Sequence, residues 1–305
     1  MNTLYWDCFS GIAGNMAVAS LIDLGADRKK LEKAVSSIDF EEGEVELIFE
    51  EKLNMGIRGT YFNTLEDHVT HSDSTHSHHQ EHKHTHSHEG HHHHHKTNGE
   101  HTHDHDAGDH QHHHHHHHHG HGPHRGMPEI RALLEKADIS ENARKIALNC
   151  FLELAAAEAE IHGKAIDEVH FHEVGARDSI VDMVGVAVCL DDLNIDEVRI
   201  SPIHLGSGMV DCAHGKIPVP APATAVLLKG FPVVVDTDVP FELTTPTGAA
   251  ILRGMKAESV GPQEFIYDAV GHGLGSFNTG RPNFLRAFLK KDSQHVKKKQ
   301  ISSLS

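Results

Sequence analysis

The chain has 305 residues and a mass of 33.6 kDa, with 44 acidic residues against 27 Lys plus Arg and a formal charge of −17. That acid excess excludes a basic nucleic-acid binder, and no apolar run reaches the length of a membrane span. The anomaly is 35 histidines. Protonating half of them near pH 6.5 adds about +17, which is why the pI stays near 6.0.

Thr3 to Trp6 reads as a short strand and the following Asp7-Cys8-Phe9-Ser10-Gly11-Ile12-Ala13-Gly14 as a turn into a helix over Asn15–Leu24. Asp7 breaks the first apolar stretch and no basic leader precedes it, so no signal peptide is expected. Gly25 stops that helix, and Asp27 caps a second one to about Ser37. Val45–Phe49 and Ile57–Phe62 read as strands around a turn at Asn54–Gly56.

Between His68 and His124 lie 28 of the 35 histidines, with almost no apolar residues. Such a segment cannot bury a core, so residues 68–126 are expected to be a disordered insertion. Imidazoles bind Ni, Zn, Cu and Co, so the tract is read as a metal-collecting appendage rather than a site of fixed geometry. An expression tag is the plainer explanation, but a tag is ordinarily terminal and uniform.

Order resumes at Met127-Pro128 with a short helix to Ala137. Ser140 caps a long helix ending at His162-Gly163. Val169–His172 reads as extended and Asp178–Leu190 as a buried, valine-rich helix. Val198–Ser201, Val233–Asp236 and Phe265–Ala269 are strand candidates, Thr224–Lys229 and Gly248–Met255 short helices, and Asn283–Lys290 a closing strand. The expected fold is therefore α/β, a mixed sheet with flanking helices. Its globular part is residues 1–67 and 127–290, and 291–305 form a polar tail. The four cysteines are scattered without a CxxC pair, which predicts reduced thiols and a cytoplasmic protein.

Three groups of residues carry chemistry. His170 and His172 fall on one side of an extended segment, with Glu173 beside them. Asp178 and Asp182 share a helix face, and together they make a candidate divalent metal site. Asp182 is the most suggestive, because it interrupts an apolar helix face; Asp178 has a simpler reading as a helix cap. Cys212 and His214, spaced i, i+2, pair a thiolate with an imidazole if the segment is extended, a donor set suited to Ni or Zn. His204, Gly206 and Gly208 precede them in a turn whose amides could approach an anion. Three loops could hold phosphate: Ser10–Asn15 with Ser10 and Gly11, the Thr244–Gly248 segment with Thr245, Thr247 and Gly248, and Gly271–Gly275. Capping and turn chemistry account for each loop equally well. No nucleophile elbow or zinc-protease motif is present.

Taken together, these strings resemble the LarC family of nickel-insertion proteins. The resemblance rests on the Asp7–Gly14 loop, His170-Phe171-His172-Glu173-Val174-Gly175-Ala176 with Asp178–Asp182, and Cys212-Ala213-His214-Gly215. It extends to Pro218–Thr224, Thr244–Ala250 and Arg281-Pro282-Asn283, in the same order and with a His-rich insertion at the same place. It implies a nickel chelatase, a lyase that inserts nickel into pyridinium-3,5-bisthiocarboxylic acid mononucleotide to complete the nickel-pincer cofactor of lactate racemase. CTP is consumed with Mg or Mn. Asp7, Cys212 and His214 are expected to form the catalytic group. Asn15 stands where the family commonly has Asp, so no ligand role carries over there. Full members continue beyond the Arg281-Pro282-Asn283 strand, so this chain is expected to be the N-terminal component, working with a C-terminal half that handles CTP, and a homo-oligomer is expected. The alternatives are a non-catalytic nickel storage or delivery protein, and a hydrolase using the His170–Asp182 carboxylates and a catalytic metal.

Overall fold

In the computed structural model the described residues are 1–65, 125–171, 176–212, 215–261 and 264–292. Residues 66–124, with the histidine tract, and 293–305 of the polar tail lie outside them. In chain order the elements are β1 (Thr3–Asp7), α1 (Gly14–Asp23), α2 (Arg28–Ser36), β2 (Glu46–Asn54) and β3 (Ile57–Leu65). After the tract come α3 (Met127–Lys136), α4 (Glu141–His162), α5 (Arg177–Asp192), β4 (Glu197–Ile200), β5 (Ile203–His204), β6 (Met209–Cys212) and β7 (Gly215–Pro218). The remainder is α6 (Pro222–Leu227), β8 (Val233–Val234), α7 (Pro246–Gly254), β9 (Glu258–Ser259), β10 (Ala269–Leu274) and β11 (Phe284–Lys290). Among the described residues no helix is long and apolar enough to cross a membrane.

Local signals fix several boundaries. Asp27 accepts the Lys29 N–H at 2.9 Å and starts α2. Ser140 accepts the Ala143 N–H at 3.0 Å, and Gly163 ends α4 in the left-handed region at φ +62°. Met55 and Gly56, both at positive φ, close the β2–β3 hairpin as a two-residue turn. α6 and α7 each begin two residues earlier than the periodicity predicts, at Pro222 and Pro246. A proline at the first helical position forfeits no intrahelical hydrogen bond there.

The sheet is mixed and seven-stranded, in the order β2-β3-β10-β11-β1-β4-β9. β1 runs antiparallel to β11 and parallel to β4, so the first and last strands of the described chain lie side by side at its centre. Alternation sets the two faces. Leu4, Trp6, Val198, Ile200, Leu285, Ala287 and Leu289 are buried beneath the helices, and the Trp6 indole N–H donates to Ser20 of α1 at 3.0 Å. Tyr5, Asp7, Arg199, Arg286 and Phe288 point the other way and are half-buried. On that face Tyr5, Phe265, Tyr267 and Phe288 pack ring against ring, with centroids 4.8–6.1 Å apart.

One sequence expectation needs correcting. The strand placed at Phe265–Ala269 is β10, further along, and Gly271–Gly275 is not an anion loop. Gly271 and Gly273 are strand positions over which α1 passes. A Cβ on Gly271 would lie 2.6 Å from the Ser20 carbonyl oxygen, and one on Gly273 1.9 Å from that of Met16. Here glycine serves close packing of helix on strand, not turning. Gly273→Ala should therefore cost about 2–3 kcal/mol in a denaturant titration. Gly261→Ala, with open space around its Cβ, should be nearly neutral in the same titration.

Candidate functional site

A cleft of about 330 Å³ among the described residues lies where the N-termini of α1, α5 and α7 meet. Ala13–Met16 come from the start of α1, Asp178, Ser179 and Asp182 from α5, and Thr245–Thr247 from α7. Asn63 of β3 and the β10–β11 connection (Gly275–Phe277, Thr279, Asn283) close one wall, and Phe241–Leu243 form a lip. The helix N-termini direct positive dipole ends and hydroxyl groups into this volume. The acids that line it are Asp178, Asp182 and Glu242, and among the described residues no Lys or Arg does.

The helices meet because side chains are missing where they touch. Gly11 sits at φ +73°, and a Cβ there would lie 2.0 Å from the Leu243 carbonyl oxygen. Gly248 meets the Ile12 carbonyl oxygen in the same way at 2.1 Å, and Gly14 meets the Asp182 carboxylate at 2.4 Å. Ile12 and Thr244 bridge, and the Thr245 N–H donates to the Ile12 carbonyl at 3.1 Å. The Thr245 hydroxyl accepts the Gly248 N–H at 3.2 Å, and that of Thr247 donates to Ser179 at 3.4 Å. Ser10 is buried and donates to Asn283 at 3.3 Å, while Asn283 donates to the Phe277 carbonyl at 3.0 Å.

Asp182 is the electrostatic centre. Burial pushes its carboxyl well above the ordinary carboxylate range, and the nearby Asp178 pushes it further. The backbone N–H of Asn15, which it accepts, pulls back the other way. Asp178 accepts the Ser179 N–H at 2.7 Å and is the second residue of α5, so it is not the cap, a place taken by Ala176. The Asn15 amide donates to Ser276 at 3.4 Å and to the Phe62 carbonyl at 3.4 Å, tying α1 to the far wall.

Of the residues singled out in the sequence, the cavity unites Asp178, Asp182, Thr245 and Thr247, while Ser10, Gly11 and Gly248 form the seam behind it. Other candidates are elsewhere. Asp7 lies on the opposite face of the sheet, paired with Arg286 at 2.5 Å. His170 is exposed and bridges Gly126. His172, Glu173 and His214 lie outside the described residues. β6 ends at Cys212, whose partner in the antiparallel β6–β7 pair is Gly215. Cys8 is fully buried and burial pushes its thiol up. That of Cys150 is raised to about 12 for the same reason, so both are neutral core residues. Among the described residues no cluster of three or more His, Cys, Asp or Glu is arranged to hold a metal alone.

Sequence reasoning missed a second layer. His204 Nδ1 meets the Asp236 carboxylate at 2.9 Å, and Arg281 donates to the same carboxylate at 2.8 Å. Burial works to raise the Asp236 carboxyl, but the hydrogen bonds from Arg281 and His204 prevail and hold it below the ordinary range. This bridge braces the β10–β11 connection against the segment before α7. It was not legible because its three members are scattered over 78 positions of the chain (204 to 281).

The raised carboxyl has a stability consequence. The folded state binds the Asp182 proton more tightly than the unfolded chain, so Asp182 costs stability increasingly as pH rises from about 4, its unfolded value, through the raised folded value. Asp182→Asn, which keeps an oxygen for the Asn15 N–H, should melt at a higher temperature than the wild type at pH 7.5. Thermal melts should show the gap closing toward pH 4.

The chain matches the family model described as nickel insertion protein over residues 4–305. It is 37% identical over 297 residues to the pyridinium-3,5-bisthiocarboxylic acid mononucleotide nickel insertion protein of Clostridium kluyveri, covering 97% of the chain and 64% of the relative. The proteins of the same name from Akkermansia muciniphila (38%, 95% of the chain, 60% of the relative) and Clostridium acetobutylicum (40%, 95% and 64%) are equally similar. No solved structure matches. The chain thus spans about three-fifths of the length of these curated relatives, and it belongs to the nickel insertion protein family.

Proposed function

We propose that this chain carries the acceptor site of a nickel chelatase. The cavity between the three helix starts holds pyridinium-3,5-bisthiocarboxylic acid mononucleotide while nickel enters it. One observation carries the reading: in a member of the nickel insertion family, Asp178 and Asp182 converge with three helix N-termini in a single ligand-sized cavity.

The chemistry follows from donor type. Two carboxylates are too few to trap Ni²⁺, and their oxygens bind it less well than thiocarboxylate sulfur. That is what a transfer site needs: the metal rests on Asp178 and Asp182 and passes to softer donors on the substrate. Bonding of nickel to the pyridinium carbon releases that carbon's proton. Asp182, whose carboxyl is held up by burial and by Asp178, is suited to accept it. The phosphate finds amide and hydroxyl groups at the helix starts. The CTP requirement, with Mg or Mn, is assigned to the portion of the relatives that this chain does not span, and lactate racemase is the recipient of the product. The 28-histidine tract raises the local nickel concentration.

The assay supplies acceptor nucleotide, nickel, CTP and the remainder of the family protein, and reads incorporated nickel. Asp182→Asn should lower insertion at least 100-fold and Asp178→Asn about ten-fold, with folding intact. Wild-type rates in both would overturn the site. Deleting residues 68–124 should leave insertion unchanged at saturating nickel and reduce it at limiting nickel. Insertion by neither the full chain nor the deletion, with nickel retained by the tract, would favour storage.

A further inference from the structure

The lip of the cavity carries two phenylalanines that neither the family motifs nor the donor chemistry uses. Phe241 lies just before α7 and Phe277 in the β10–β11 connection. Both line the cavity, yet they are 40% and 65% exposed. Their rings are nearly parallel, 12° between planes, with centroids 6.4 Å apart. Large apolar rings left in water beside a cavity mark a surface that a ligand covers.

Both rings stand on braced backbone. The Phe241 carbonyl lies where a Cβ on Gly206 would be, at 1.8 Å, and it accepts the Ser207 N–H at 3.3 Å. The Phe277 carbonyl accepts from Asn283, which Ser10 holds from below. Thus two separate segments present near-parallel rings at the mouth.

A third flat ring between them requires about 3.5 Å on each side, or about 7 Å in all. The centroid distance of 6.4 Å is the upper bound on the present separation of the planes, so the rings must part by at least about half an ångström to admit it, a movement open to the 65% exposed Phe277. The two ring faces present negative potential, and the acids lining the cavity are Asp178, Asp182 and Glu242. Cation–π attraction then selects a positively charged aromatic ring over a neutral one.

We infer that Phe241 and Phe277 form an aromatic clamp that takes the pyridinium ring of a mononucleotide. The clamp holds the ring over the carboxylates while the phosphate reaches the helix starts. This rests on the cavity being the acceptor site, and it names the side chains that recognise the ring and its charge.

The probe is nicotinamide mononucleotide, a pyridinium, against its reduced dihydropyridine form, which keeps the ribose phosphate but loses the charge and aromaticity. Both are titrated into the full 305-residue chain by calorimetry. The wild type should bind the pyridinium at least ten-fold more tightly than the reduced form. Phe241→Leu with Phe277→Leu should weaken pyridinium binding about ten-fold and abolish the preference. Phe277→Trp should retain both. These positions are exposed, so melting temperatures should stay within a few degrees. Equal binding of the two forms by the wild type, no binding of either, or an unchanged preference in the double variant would overturn the clamp. The cavity reading stands or falls separately: Asp182→Asn abolishing nickel insertion while the clamp variants bind normally defeats the clamp alone, and Asp178→Asn and Asp182→Asn both inserting normally defeats the reading beneath it.

Discussion

The site depends on backbone touching backbone without a side chain between. The turn after β1 lies directly on the segment leading into α7, with Gly11 against the Leu243 carbonyl and Gly248 against that of Ile12, and Gly14 lies against the Asp182 carboxylate of α5, each closer than a Cβ would allow. This seam brings α1, α5 and α7 to one point, although they start about 165 and 70 residues apart (14, 177, 246). A substituent at any of the three would separate the helix starts before it touched a ligand. Glycine at these positions is therefore as much a part of the site as the carboxylates are.

The seam creates an unfavourable electrostatic situation. Asp182 projects from the otherwise apolar face of α5 into a desolvated corner, beside Asp178, and the described lining offers no basic residue. The helix dipoles and the Asn15 N–H offset part of that cost. A cavity of this kind favours a ligand that brings its own positive charge, whether a metal ion or a cationic ring. The nearby His204–Asp236–Arg281 bridge solves its charges internally and holds the wall still.

Much of the fold was legible because local rules and packing agree. Asp27, Ser140 and Gly163 mark helix ends, and the turn ending at Gly56 sets the first hairpin. Asp182 was found by the same logic, as a polar interruption in an apolar periodicity. What failed was position-dependent. Gly271 and Gly273 look like turn residues, but they serve α1 passing overhead, which no local pattern encodes. Phe241 and Phe277 gave no signal, because isolated aromatics in irregular segments have no period and only the folded chain brings their rings near-parallel.

The central claim is that a pyridinium mononucleotide and nickel meet between the three helix starts. A crystal structure of the chain soaked with the bisthiocarboxylated mononucleotide tests it most directly. The account predicts the ring between Phe241 and Phe277 with the phosphate at the start of a helix, and, when nickel is soaked in as well, the metal between a thiocarboxylate and Asp178 and Asp182. The nucleotide bound on the opposite sheet face, beside Asp7 and Arg286, with the cavity empty, would contradict it.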